Sequence, residues 1–326
     1  MKPLRNNQVP IARLIPGKPL HWALGTGLLL ALYVLVDRQV GWPLVLAPWQ
    51  QLSPSDLLLA LGLFTLSHLC RIWRIHRFLG STAPTFAAVV KLSLWHQFFN
   101  NLLPMRLGEA AFPVLLKRYA GTSMASGFTR LVWLRLLDLA FMGVFGFILV
   151  LWLARLMPAT TLLTLGLVAV LILALFLALL PLNQLSKLGL GARPGFLART
   201  GAMVIDLAPA TAVLRVQLFI LTAVCWCSKL LAIGGVAAAL SPLPLESLLA
   251  GAVAGELASI LPVHGVAGAG TYEAAFAAGA MVATNETATL LAAAVNAHLF
   301  VFGATLLLSL CALPLPTPTY REQTSL

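Results

Sequence analysis

Charge is what this chain has least of, and its scarcity excludes most soluble architectures. Only 10% of the 326 residues are Asp, Glu, Lys or Arg, whereas soluble domains carry about 25%. Carboxylates are scarcer than cations, ten against 21, which leaves a formal charge of +11. The basic residues sit in short segments between apolar runs, where they orient a membrane protein and meet anionic headgroups, so no nucleic-acid partner is expected. Cysteine is sparse as well. Cys70, Cys225, Cys227 and Cys311 lie in or beside apolar runs, and Cys225-Trp226-Cys227 is neither a zinc nor a redox spacing. The six histidines form no His-Glu-x-x-His array and no Walker A loop occurs, so no metal or nucleotide cofactor is expected. Residues 1–19 are basic and proline-rich, with no small-residue cleavage site after the first apolar run, which reads as a retained cytoplasmic N-terminus.

Apolar length is what the chain has in abundance. Hydrophobic residues make up 60% and the mean hydropathy is +0.93. Stretches of the roughly 20 residues that a helix needs to cross about 30 Å of hydrocarbon recur throughout. They lack the alternation of a barrel strand, so the expected class is an all-α integral membrane protein. Six full transmembrane helices are read at about 21–36, 57–73, 124–154, 160–181, 214–240 and 287–313. Two further elements are broken. The first runs over about 85–103, stops at Asn100-Asn101-Leu102-Leu103-Pro104 and resumes over about 105–117, with Pro104 expected to open the second half-helix. The other runs over about 246–261, breaks from Pro262 to Gly270 and resumes over about 271–284. The 182–212 stretch reads as a surface connection with an interfacial helix. A single transmembrane domain over 20–313 follows, flanked by the 1–19 segment and a short tail at 314–326.

Lys and Arg set the orientation. With the N-terminus cytoplasmic and both broken elements returning to the side they entered from, 15 of the 21 cations are cytoplasmic, Arg71 and Arg74 among them, and two (Arg38 and Arg155) lie opposite. Arg106, Arg130, Arg135 and Lys229 fall within apolar runs. Both termini are then cytoplasmic. In this arrangement the segments at about 57–154 and 214–313 form inverted triplets, each a span, a re-entrant helical hairpin and a span. Leu103-Pro104 followed by Glu109-Ala110-Ala111-Phe112 is echoed by Leu261-Pro262 followed by Glu273-Ala274-Ala275-Phe276. Paired, interrupted hydrophobic segments of this kind point to a transporter's midplane site.

An ionisable side chain in hydrocarbon costs about 2.5–3.5 kcal/mol on insertion scales, so each one needs a partner, a wet cavity or a function. Arg135 and Asp138 share one helix face, as a self-neutralising structural pair or as an Arg aimed at a phosphate and steadied by the Asp. Arg106 and Glu109 flank the first break, where a half-helix N-terminus would favour an anion. The second break carries His264 and several glycines, suited to phosphate cradling or to close helix packing, and leads into Tyr272 and Glu273. Glu256 faces two readings, a pair with Lys229 or a proton carrier together with Glu273. Asn100 and Asn101 cap the broken backbone or line a headgroup path, and His96 and His298 read as ordinary polar contacts.

Phe99-Asn100-Asn101-Leu102-Leu103-Pro104-Met105-Arg106-Leu107-Gly108-Glu109, then Arg135-Leu136-Leu137-Asp138, then Leu261-Pro262 with a Gly-rich run into Glu273, resemble the transmembrane region of the lysylphosphatidylglycerol synthase family. The likeness spans roughly residues 20–313. It implies a flippase-like domain of the bacterial inner membrane, with a phospholipid or a polyprenyl- or hopanoid-type lipid as substrate. It also implies, as a partner, a lipid-modifying or glycosyl-transferring synthase. Pro262-Val263-His264-Gly265 departs from the family's small-residue/Pro–Gly-Gly pattern. The sequence ends at Leu326 without the synthase domain of bifunctional members, so translocation without lysyl-lipid synthesis is expected, and no enzyme activity. Arg106, Glu109, Arg135, Asp138, Tyr272, Glu273, Asn100, Asn101 and His264 are the expected substrate-binding residues, with Glu256 and Glu273 as candidates for proton coupling. Two alternatives stand beside this reading. One is an integral-membrane transferase using a lipid-linked donor, with the Asp37-to-Asp56 loop as its outer surface; the other is a non-transporting partner of a synthase.

Overall fold

The computed structural model describes residues 19–153, 206–209, 211–259, 265–282 and 284–316. The expected span at 160–181, most of the 182–212 connection, and Pro262 and His264 lie outside the described residues, as do the first 18 residues and most of the tail. Among the described residues every regular element is helical. The long helices are α1 (Pro19–Gln39), α2 (Trp42–Gln51), α3 (Pro54–Leu79), α4 (Phe86–Leu102), α5 (Ala111–Ala120), α6 (Met124–Leu153), α7 (Ala212–Leu240), α8 (Leu245–Ala258), α9 (Thr271–Ala280) and α10 (Thr287–Cys311). Helices α3, α6, α7 and α10 are long and apolar enough to cross a membrane, and the α1–α2 pair, bent by 81°, is a fifth candidate. The stretch read as an outer loop between Asp37 and Asp56 therefore holds a helix. Gly41 turns the chain at a φ of +84°, Pro43 opens α2, and Trp49 Nε1 donates to Asn296 on α10 at 2.9 Å.

Helices α4, α5, α8 and α9 have 17, 10, 14 and 10 residues. At 1.5 Å per residue they extend about 15–26 Å, short of about 30 Å of hydrocarbon. At the first break the expected half-helix does not start at Pro104. Met105 and Arg106 take left-handed backbone (φ +54° and +57°), the stretch Pro104–Ala110 is an irregular tight turn, and α5 starts only at Ala111. Two successive left-handed residues cannot propagate a right-handed helix. Gly108 allows the turn to fold back on α4, since a Cβ there would lie 2.3 Å from the Asn100 backbone nitrogen. The second break contains its own left-handed residue, Ala267 at φ +57°, and releases α9 at Thr271, as expected. Both breaks meet α1. A Cβ on Gly25 would stand 2.6 Å from Pro104 Cβ and 3.2 Å from the Val266 nitrogen.

Lipid tails are as apolar as the side chains, so helix pairs in a membrane rely on small residues and polar contacts. Helices α8 and α9 show the first device. Gly251 and Gly255, one turn apart, seat Phe276 and Tyr272, and a Cβ on either would approach those rings to 2.8–2.9 Å. Gly279 lies on Ala250 in the same way, so the pair runs antiparallel. Helices α3 and α7 show the second device. Ser67 Oγ meets Cys225 Sγ at 3.3 Å, Arg74 Nη1 donates to Thr222 Oγ1 at 2.8 Å, and Arg77 Nη2 donates to Gln217 Oε1 at 3.0 Å, again antiparallel.

Among the described residues the apolar core falls into a small cluster of Val36, Val45, Leu291 and Val295 and two large ones. One large cluster gathers Phe64, Phe141, Trp226, Phe276 and Phe300; the other gathers Ile72, Phe78, Phe112, Trp133 and Leu134. On α6 the boundary falls at Asp138, halfway along the helix, and on α7 it falls between Leu218 and Trp226. The ionic groups occupy this layer between the two large clusters.

Candidate functional site

In the polar layer a cavity of about 370 Å³ opens between α3, α4, α6, α7, α8 and α10 and the two breaks. Its charged lining is Arg71, Arg106, Glu109, Arg135, Asp138, Lys229 and Glu256. Phe128, Leu131, Val132, Leu136 and Leu139 of α6 add apolar lining, interleaved with Arg135 and Asp138.

Asp138 is the hub. Its Oδ1 accepts from Arg74 Nη1 at 2.6 Å and from Trp226 Nε1 at 3.0 Å, and its Oδ2 lies 3.4 Å from Arg135 Nη1. Asp138 and Arg74 are 2% and 1% exposed, so the pair is fully withdrawn from water. Glu109 is the second hub. Its Oε1 accepts from Arg135 Nη2 at 2.6 Å and from Arg106 Nη2, and its Oε2 lies 3.5 Å from His96 Nε2. Arg135 thus bridges the two carboxylates and ties the first break to the middle of α6. The i,i+3 pairs Arg106–Glu109 and Arg135–Asp138 form as the spacing suggested, as members of one network.

On the far side, Lys229 Nζ donates to Glu256 Oε2 at 2.7 Å, joining α7 to α8. Glu273 is buried behind the cavity. It accepts from the Gly270 backbone N–H at 2.8 Å, closing the first turn of α9, and its other oxygen meets His298 Nδ1 at 2.6 Å. His298 reaches the cavity wall beside Gly268, with the Tyr272 ring tilted against it at a centroid distance of 4.4 Å. The Tyr272 hydroxyl is buried and has no hydrogen-bond partner among the described residues. Asn100 and Asn101 line the cavity, and Asn101 Nδ2 donates to Thr305 Oγ1 at 3.1 Å. His264 lies outside the described residues.

Two arginines stand where the sequence reading did not put them. Arg71 and Arg74 were assigned to the cytoplasmic flank of the second span, yet they are 5% and 1% exposed and face α6 and α7. Helix α3 continues to Leu79, and its polar face inserts into the bundle. The available signal was a stripe: Ser67, Arg71 and Arg74 fall at i, i+4 and i+7, one face of an otherwise apolar helix. Arg74 neutralises Asp138. The Arg71 guanidinium sits over the Trp226 ring at 5.9 Å and makes no hydrogen bond to the described residues.

A bundle of membrane-spanning helices around a buried ionic cavity defines a multi-pass membrane protein whose polar chemistry lies inside the hydrophobic layer. More particularly, the chain belongs to the family described as the lysylphosphatidylglycerol synthase TM region, which it matches over residues 22–309, from α1 nearly to the end of α10. No curated protein matches it. Every charged residue of the cavity falls within the matched stretch.

Proposed function

We propose that this protein translocates a phospholipid or lipid-linked phosphate across the bacterial inner membrane by passing its headgroup through the ionic cavity while the acyl chains stay in the bilayer. The observation that carries this reading is the cavity's mixed lining: fixed charges together with the apolar α6 side chains Phe128, Leu131, Val132, Leu136 and Leu139. A headgroup needs the first and an acyl chain the second. In this reading Arg106, Arg135, Asn100 and Asn101 receive the phosphate side of the headgroup, Tyr272 and the second break close over it, and His264 belongs to that break. Glu109, Asp138 and Glu273 hold the cations and the imidazole in place, and Glu256 or Glu273 is the group to carry protons should transport be proton-coupled.

The short pairs α4–α5 and α8–α9 are the two re-entrant hairpins of an inverted repeat, with six full spans around them once 160–181 is included. The shortness of all four arms and the meeting of both breaks at Gly25 support that arrangement. With Arg71 and Arg74 moved into the core, thirteen cations remain on the cytoplasmic side against two opposite. That asymmetry supports a cytoplasmic position for both termini. The domain is a single unit over 20–313 and acts without catalysis.

One feature favours a second reading. The Glu273–His298 pair, with imidazole at the cavity wall, is the kind of oriented base that a transferase acting on a lipid-linked donor needs. Leaflet exchange of fluorescent phospholipids in proteoliposomes separates the readings. Translocation requires exchange well above protein-free vesicles, reduced at least tenfold by Arg135→Ala at matched incorporation. Absence of exchange together with turnover of a lipid-linked donor in detergent establishes the transferase instead.

A further inference from the structure

The cavity's ionic groups do not balance, and one cation among them makes no direct ion pair. Arg71, Arg74, Arg106, Arg135 and Lys229 are five cations; Glu109, Asp138, Glu256 and Glu273 are four carboxylates. Each carboxylate is already committed: Glu109 to Arg106 and Arg135, Asp138 to Arg74, Arg135 and Trp226, Glu256 to Lys229, and Glu273 to His298 and the Gly270 N–H. Arg71 shares the Asp138 charge with Arg74 and Arg135, but it is the member of the five without a direct ion pair: it is 5% exposed, lines the cavity, and has no carboxylate within 4 Å among the described residues. Of the ten carboxylates in the sequence, Glu322 in the tail is the sole one outside the described residues. Five cations over four carboxylates leave one positive charge in excess inside the bundle, which is unfavourable unless a ligand supplies the missing charge.

Building on the headgroup-path reading, we propose that Arg71 anchors one phosphate ester in the cavity, and that the site therefore selects a headgroup with one net negative charge over zwitterionic or cationic ones. The guanidinium presents a planar fork suited to two phosphate oxygens. Trp226 holds it from behind through the cation–π contact and is itself pinned by its indole bond to Asp138. Lys229 lies 5.3 Å from the same ring and spends its charge on Glu256, so Trp226 stands between a directly paired cation and one without a direct pair. A cationic headgroup would add to the surplus instead of cancelling it.

The test is native mass spectrometry of the detergent-solubilised full chain with equimolar phosphatidylglycerol and phosphatidylcholine, for the wild type, Arg71→Gln and Arg71→Lys. A charge-assisted contact implies that the wild type retains the anionic lipid about tenfold or more over the zwitterionic one. Arg71→Gln should lose that preference, weakening phosphatidylglycerol more than phosphatidylcholine, whose phosphate makes the same contact but whose ammonium group offsets its charge, and Arg71→Lys should restore most of it. The Gln variant should also melt no lower than the wild type, because it removes the surplus buried charge. Equal binding of the two lipids by the wild type overturns the proposal, as does a Gln variant that loses both lipids alike or unfolds earlier. Glycerol 3-phosphate, added as a competitor, separates the sources of the phosphate. Displacement of the lipid assigns a free phosphate ester to the Arg71 site, and retention assigns a lipid headgroup. Leaflet exchange keeps the two readings apart. Selective binding without exchange leaves the anion site standing and removes translocation; exchange without charge preference does the reverse.

Discussion

Replacing Asp138 by Ala tests whether the polar layer is held by its carboxylate hub. The substitution strands Arg74, which is 1% exposed and bonded to Asp138 at 2.6 Å, and leaves the Trp226 indole without its acceptor. Removing one partner of a buried ion pair costs about 3–5 kcal/mol, and an orphaned buried donor adds about 1–3 kcal/mol. The sum, on the order of 5 kcal/mol, matches the lower end of whole-protein stability. At about 2–4 °C per kcal/mol, the melting temperature should fall by about 10 °C or more, read from size-exclusion profiles of heated samples in detergent. Asp138→Asn keeps an oxygen for Trp226 and should fall less. The compensating double variant Arg74→Met/Asp138→Leu replaces the pair by apolar side chains and should recover most of the loss. A cycle of Arg74→Met, Asp138→Leu and the double variant should give a coupling of at least about 3 kcal/mol. If Asp138→Ala melts within about 2 °C of the wild type, or if the double variant is less stable than either single change, the hub is not what holds this layer.

Two other outcomes follow from the same geometry. Gly108→Ala drives a methyl group to 2.3 Å from the Asn100 backbone. Because backbone cannot yield as a side-chain tip can, the first break should open at a cost of at least 3 kcal/mol, seen as poor accumulation of folded protein on size-exclusion chromatography. Lys229→Ala should destabilise the protein by about 3 kcal/mol through the buried Glu256 it abandons, whereas Lys229→Met combined with Glu256→Leu should melt close to the wild type.

Much of this molecule was legible before its structure. Long apolar runs mark spans because the bilayer leaves the backbone no other partner, so α3, α6, α7 and α10 fall within a few residues of their expected positions, apart from an α3 that runs on to Leu79. The breaks were legible too, because Asn-Asn-x-x-Pro and a Gly-rich run interrupt apolar helices where nothing else does. Charge spacing revealed Arg135–Asp138, since i,i+3 neighbours share a helix face, and Arg106–Glu109 meet at the same spacing across the tight turn of the first break. Arg74–Asp138 and Glu273–His298 were not legible, because their partners are 64 and 25 residues apart and only packing brings them together. Arg71 and Arg74 were misplaced for a related reason: an arginine near a span's end reads as interfacial, and its burial depends on how far the next helix extends. Here α7 runs alongside α3 as far as Gln217 and Arg77, and it covers both arginines.

The central claim, that the cavity is the route of the headgroup, is tested most directly by obstructing it. With the four native cysteines replaced, Leu136→Cys places a single thiol in the apolar lining of the cavity, where a bulky, reducible thiol reagent can be attached and removed. The account predicts that leaflet exchange in proteoliposomes falls to the protein-free rate on labelling and returns on reduction. Exchange that continues unchanged in the fully labelled protein would contradict it.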